Sequence, residues 1–233
     1  MYATLSLKRL MAILLYPFAA ILLVFVLVKG PPSDLITAFR MVASSVGTWA
    51  LLLLILGGFH GKWSPWRAIW SACPALNSFI FPDLNGVWRG KTSSNWPVIE
   101  ALTEAAKGTQ SVQKEELSAI GLQEDDIEMT IKASLFSFRI SAKLSKTGGD
   151  SYSVTERVCR DKQRDCFEMY YVYVQDTPQP VMTDEGSHMG AARLDIDLEN
   201  WSLSGEYWTM RSWRSGLNTA GLLKVNRVSR LHG

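Results

Sequence analysis

On the stretch SGEYWTMR, Gly205, Tyr207, Thr209 and Arg211 share one face of an extended strand, and Glu206, Trp208 and Met210 share the other. A phenol, a hydroxyl and a guanidinium each need a hydrogen-bond partner, which makes that first face an odd lining for a dry core. On FEMYYVYV, Met169, Tyr171 and Tyr173 fall on one face in the same way. If both faces point inward, they suit an aromatic, anionic ligand: rings stack on bases, and arginine holds phosphate through two parallel bonds. If they point outward, Trp208 and Met210 fill the core instead. Period two alone does not choose between the two arrangements.

Signals for catalysis are poor. The chain has three histidines; His60 lies at the edge of an apolar run, His232 near the end, and only His188, in EGSHMGAARL, within the polar half. No Ser/His/Asp grouping, glycine-rich phosphate loop or metal-ligand spacing stands out, so the expectation is a non-enzyme with no metal and no cofactor. Of three cysteines, Cys73 is isolated, while Cys159 and Cys166 flank RDKQRD, which reads as a turn. They are expected to face each other across a hairpin as reduced thiols, and their spacing is not that of a zinc site.

Two apolar runs come before this polar half. Leu10–Val28 is uncharged apart from its flanks and close to the ~20 residues that cross a bilayer as a helix, with Pro17 tolerated inside it. It ends in Lys29-Gly-Pro-Pro rather than a small-x-small cleavage site, which disfavours a removed signal peptide. Met41–Phe59 is the second run; Ala43 and Gly47, and Ser44 and Thr48, have the four-residue spacing that lets helices approach closely, within a hairpin or between protomers. Lys8, Arg9, Lys62 and Arg67 on the terminal side outnumber Lys29 and Arg40 on the loop, so both termini are expected in the cytoplasm. Trp63, Trp66 and Trp70 follow at helical spacing, as in a short helix lying in the membrane interface. Residues 1–80 carry six basic side chains to one acidic and the remainder 18 to 21, which points the basic half at lipid headgroups and argues against a nucleic-acid polymer as partner.

From residue 81 to 233 the apolar pattern is mainly period two: GVWRGK, DIEMTIKA, FSFRISAKL, SYSVTERVC, CFEMYYVYV, GAARLDIDL, LSGEYWTMR and AGLLKVNRV, parted by turns such as KTGGDS, DTPQP and LENW. Eight short strands without αβ alternation predict an antiparallel, eight-stranded up-and-down β-barrel, following an N-terminal two-helix transmembrane hairpin. WPVIEALTEAAKG is helical, with SVQKEELSAIGL a weaker second helix, so residues 97–123 form a helical insertion after the first strand that caps, plugs or decorates one barrel end.

Two resemblances attach to these motifs. Two spans followed by LNGVWRG, MYYVYVQDTP, HMGAARLDI and LSGEYWTMR…AGLLKV are similar to the two-transmembrane, β-strand-rich effectors associated with CD-NTases in bacterial CBASS anti-phage defence. The resemblance implies a cytoplasmic barrel that binds a cyclic dinucleotide from a cognate nucleotidyltransferase. It also implies an effector of the inner membrane that forms homo-oligomers and disrupts the bilayer, giving abortive infection. A Gly-x-Tyr-x-Thr-x-Arg-like strand then matches Gly205, Tyr207, Thr209 and Arg211; Tyr-x-Tyr matches Tyr171 and Tyr173; His-x-Gly matches His188 and Gly190. The insertion does not map onto that pattern. Gly86-x-Trp88 resembles instead the lipocalins, which implies a membrane-tethered carrier of an apolar ligand and a Trp88 that plugs one barrel end; Trp88 is also kept with Tyr171, Tyr173, His188, Tyr207, Thr209 and Arg211 among the candidate ligand-binding residues.

Overall fold

In a computed structural model of the chain, residues 7–57, 65–109, 111, 113–146, 148–161, 163–177 and 186–230 are described. Trp63, His60 and His232 lie outside them. The Cα atoms cluster into two units: 1–83 with the short turn Ser134–Ser137 (and residue 233), and 84–133 with 138–232.

The first unit opens with α1 (Leu7–Lys29) and α2 (Leu35–Gly57). Both are long and apolar enough to cross a membrane. Pro17 sits inside α1, and Gly30 follows its end at φ 83°, the left-handed position that suits glycine after a helix. The sequence reading opens the second span at Met41, beyond the charge of Arg40, whereas the helix begins at Leu35. Asp34 sets that start: its Oδ1 accepts the Thr37 N–H at 2.7 Å, one of the amides a helix cannot satisfy internally. The buried residues on α2 are Met41, Ser45 and Gly57, with Ser45 Oγ donating to the Met41 carbonyl at 2.8 Å. Ala43, Ser44 and Gly47 lie exposed, so the small-residue stripe is not what seats α2 within this unit.

Next come α3 (Pro65–Ala72) and α4 (Ala75–Phe79). Trp66 and Trp70 of α3 pack inward within this unit. Both are buried, their rings 5.3 Å apart edge to face, and each lies against Phe81 at 5.6 and 5.1 Å. Trp70 Nε1 donates to the Phe81 carbonyl at 3.0 Å, which satisfies a buried indole that would otherwise need water.

In the second unit, β1 (Gly86–Ser94) leads into α5 (Trp96–Ala106) and α6 (Lys114–Ala119). Then follow β2 (Gln123–Ala133), β3 (Phe138–Leu144), β4 (Asp150–Asp161), β5 (Cys166–Asp176), β6 (Ser187–Asp197), β7 (Ser202–Thr209) and β8 (Ala220–Ser229). Each strand pairs antiparallel with the next, and β8 returns to β1 from Val87↔Ser229 to Ser94↔Gly221, closing the barrel. The helical insertion after the first strand is present as α5 and α6. Polar turn residues end the strands by capping their own backbone. Asp161 Oδ1 accepts the Gln163 N–H at 2.8 Å, and Asp197 Oδ1 accepts the Glu199 N–H at 2.8 Å. The β4–β5 register pairs Cys159 with Glu168 and Cys166 with Asp161, so the two cysteines are staggered rather than opposite, and both are free. One seam is short: β3 and β4 share three register pairs among the described residues, Ser141↔Tyr152 to Lys143↔Asp150.

Alternation fills one half of the interior. Trp88, Met129, Ile131, Met169, Leu194, Leu203 and Val225 are fully buried there. Trp88 Nε1 donates to the Leu84 carbonyl at 3.0 Å, and the Arg227 guanidinium lies 5.3 Å from its ring centroid and 3.4 Å from that of Trp201. A plug of this size should be structural. Trp88→Ala is expected to lower the stability of the detergent-solubilised chain by ~3–5 kcal/mol in urea unfolding, as large-to-small core changes of this kind do. A loss under ~1 kcal/mol would show that the barrel floor does not depend on it.

Candidate functional site

Along every strand that carries it, the inward face changes from apolar to polar. On β1 it runs Trp88, Gly90, Thr92, Ser94; on β5, Phe167, Met169, Tyr171, Tyr173, Gln175; on β7, Leu203, Gly205, Tyr207, Thr209. Because neighbours are antiparallel, the polar ends all gather in the same half of the barrel. There they surround a cavity of about 240 Å³ whose lining includes Thr92, Ser94, Trp96, Asp125, Tyr171, Tyr173, His188, Tyr207, Thr209 and Arg211.

The open question of parity is thereby answered. Tyr207 and Thr209 face in, while Trp208 and Met210 are 50% and 59% exposed. Six of the seven residues picked from sequence (Tyr171, Tyr173, His188, Tyr207, Thr209 and Arg211) line this one cavity. Trp88 does not line it, and sits in the packed half as a plug.

The register explains the room. Tyr173, Gly190 and Thr209 stand side by side across β5, β6 and β7, as do Tyr171, Ala192 and Tyr207. The middle strand thus has the smallest residues where its neighbours have large ones. A Cβ on Gly190 would come within 2.4 Å of the Tyr173 ring, so that phenol lies across the glycine. The Tyr171 and Tyr173 rings are 5.7 Å apart and tilted by 42°. Tyr207 stands opposite Gly221 on β8, and Gly221 opposite Ser94 on β1. No side chain therefore stands between Tyr207 and Ser94, which both line the cavity.

Two positions differ from their reading as plain strand residues. Thr209 ends β7, and its Oγ1 accepts the Thr219 N–H at 3.0 Å, so this hydroxyl helps close the β7–β8 connection. Arg211 lies beyond the strand, where its guanidinium rests 4.5 Å from the ring centroid of Trp96, the first residue of α5. Trp96, joined in the lining by Gln123 at the start of β2, is the one residue of α5 and α6 to line the cavity among the described residues. It is held by its own N–H donating to Ser94 Oγ at 3.2 Å, and by Asn95 Oδ1 accepting the Ala220 N–H at 2.9 Å.

Trp96, Thr92, Ser94 and Asp125 escaped the sequence reading. Extending the parity of Trp88 along β1, and of Ile131, Met129 and Ile127 along β2, would have reached the last three. Asp125 is 8% exposed; its Oδ1 accepts the Lys146 N–H at 3.0 Å, and its Oδ2 has no hydrogen-bond partner among the described residues. Away from the cavity, Asp161, Cys166 and Glu168 bring three possible metal-ligand atoms within 4.8 Å of one another. Both carboxylates are already paired: Asp161 with Arg164 at 2.8 Å, and Glu168 with Arg164 and Arg193.

Burial raises the pKa of the Tyr171 phenol well above its ordinary 10.0, and likewise that of Tyr173, where nearby Tyr171 and Tyr207 add to it. Burial also raises Tyr207, opposed by its bond to Ser94 and reinforced by the charge of Asp125. Folded and unfolded chains bind these protons equally below about pH 9, so stability there is unaffected. As pH rises past ~10 the unfolded chain gives them up first, and stability falls. Urea midpoints measured between about pH 8 and 11 should therefore be level and then decline, less steeply in Tyr171→Phe. An unchanged slope in that variant would remove Tyr171 from the account.

No solved structure matches the chain. It is 30% identical over 187 residues to CD-NTase-associated protein 15 of Escherichia albertii, covering 80% of this chain and 81% of that one. Residues 79–227, more than half of the chain and nearly all of the barrel, match the family model described as "Cap15, cyclic dinucleotide receptor domain". The chain belongs to the Cap15 family, the CD-NTase-associated effectors of CBASS that its motifs resemble.

Proposed function

We propose that residues 81–233 form a receptor for a cyclic dinucleotide supplied by a cognate nucleotidyltransferase. Residues 1–80 anchor it as a two-span protein of the bacterial inner membrane, with both termini in the cytoplasm. The observation that carries this reading is the convergence of Tyr171, Tyr173, Tyr207, Trp96 and Arg211 on one cavity inside a closed barrel. Two aromatic groups flank the small residues Gly190 and Ala192, which suits a ligand with two bases. Base stacking on an aromatic ring is worth ~1–3 kcal/mol per base. The cation–π contact of Arg211 with Trp96 is worth ~0.5–2 kcal/mol, less than a bidentate bond to phosphate, so a phosphate draws the guanidinium from the indole. His188 and Thr209 complete the polar wall, and no residue of this set is assigned a catalytic role.

Oligomerisation and disruption of the bilayer complete the proposal as the effector step. Ligand binding drives such a step only through differential affinity for the associated and dispersed states. The exposed Ala43, Ser44 and Gly47 of α2 support close helix contact between protomers. A lipocalin-like carrier of apolar ligands fits the Trp88 plug but not a lining that includes Arg211, Asp125 and His188.

Arg211→Ala should weaken cyclic dinucleotide binding by the full-length protein in detergent by ~10–100-fold, the worth of a charged hydrogen bond. Its melting temperature without ligand should fall by no more than the few degrees that loss of the Trp96 contact costs, and Arg211→Lys should restore only part of the affinity. Titration calorimetry reads the two affinities and thermal unfolding the melting temperature. Wild-type affinity in Arg211→Ala would reject this site.

A further inference from the structure

Asp125 is hard to account for in an anion-binding barrel. Its carboxylate lines the cavity and is more than nine-tenths buried. Only one of its oxygens is occupied, by the Lys146 N–H; Oδ2 has no hydrogen-bond partner, and no ion pair to Asp125 is formed among the described residues. A buried acceptor without a donor costs stability, and an ionised one repels phosphate in the same chamber. A carboxylate there makes physical sense if the ligand brings the missing donors.

The neighbours narrow what those donors are. Asp125 stands opposite Thr92 on β1 and lines the same cavity as Tyr207, whose phenol its charge acts on. Tyr207 and Asp125 thus bring an aromatic ring and a carboxylate to one chamber. A base stacked on that ring would turn its Watson–Crick edge toward the carboxylate. A carboxylate accepts from two adjacent N–H groups best. Guanine alone among the common bases has that pair, in its ring N1–H and exocyclic amine. Adenine and cytosine set their amine beside a ring-nitrogen acceptor, and uracil holds its single N–H between two carbonyls; each brings an acceptor against the negative charge.

We propose that Asp125 is the specificity-determining residue of the pocket and selects a guanine base, an assignment that rests on the cyclic dinucleotide reading above. Arg211 then answers to the phosphate that every such ligand carries, and Asp125 to the base that distinguishes them.

The test titrates full-length wild type and Asp125→Asn in detergent with cyclic di-GMP, cyclic di-IMP (which lacks the exocyclic amine), cyclic di-AMP and cyclic di-UMP. Asn keeps an oxygen for the Lys146 N–H but loses the charge and one acceptor. Wild type should bind cyclic di-GMP at least ~10-fold more tightly than the other three, and in Asp125→Asn the ratio to cyclic di-IMP should fall to about one. If wild type binds these ligands without preferring guanine, or if Asp125→Asn keeps the preference, the assignment fails and the receptor function stands. If wild type binds none of the four, both fail together. The comparison of cyclic di-GMP with cyclic di-IMP on wild type stands whether or not the variant folds.

Discussion

The interior of an eight-stranded barrel is about as wide as its own side chains need, so space for a ligand exists only where side chains are withheld. That constraint organises the second unit. In one half, Trp88, Met129, Met169 and Leu203 consume the space. In the other, Gly190, Ala192 and Gly221 give it back, and do so between the large residues of neighbouring strands. The tyrosines are therefore wall rather than filling. Their phenols, the Ser94 hydroxyl and the Asp125 carboxylate are what the withheld side chains uncover.

The glycines act on the backbone as well. A Cβ on Gly221 would lie 1.9 Å from the Ser93 carbonyl, one on Gly205 2.1 Å from the Arg193 carbonyl, and one on Gly90 2.0 Å from the Lys224 carbonyl. These three inward positions sit where adjacent strands come too close for any side chain, as tight coiling of a small barrel requires. Closure and cavity thus depend on the same residue type.

Much of this was legible in the sequence because its physics is local. Strand parity put Tyr171 with Tyr173 and Tyr207 with Thr209, and turn residues marked most strand ends. What escaped was set by contacts distant in sequence. Arg211 meets Trp96 across more than a hundred residues, an encounter that only closure of β8 on β1 brings about. Trp66 and Trp70 pack against Phe81, a contact that nothing in their own helix reveals. The helix α2 starts before the uncharged run because its cap at Asp34 is local and Arg40 is accommodated within it.

The short β3–β4 seam has a consequence for motion. Every other neighbouring pair of strands shares at least seven register pairs, while this one shares three and lets Ile140 donate to the Ser153 side chain, at 2.9 Å, instead of a backbone carbonyl. Backbone amides along so short a ladder are expected at the low-stability end of the molecule, exchanging with solvent without global unfolding. A closed barrel cannot widen by sliding all its strands at once; any strain that widened this one would meet the fewest ladder bonds between β3 and β4, as at an expansion joint, and the long β5–β6–β7 ladders that bear the tyrosines last.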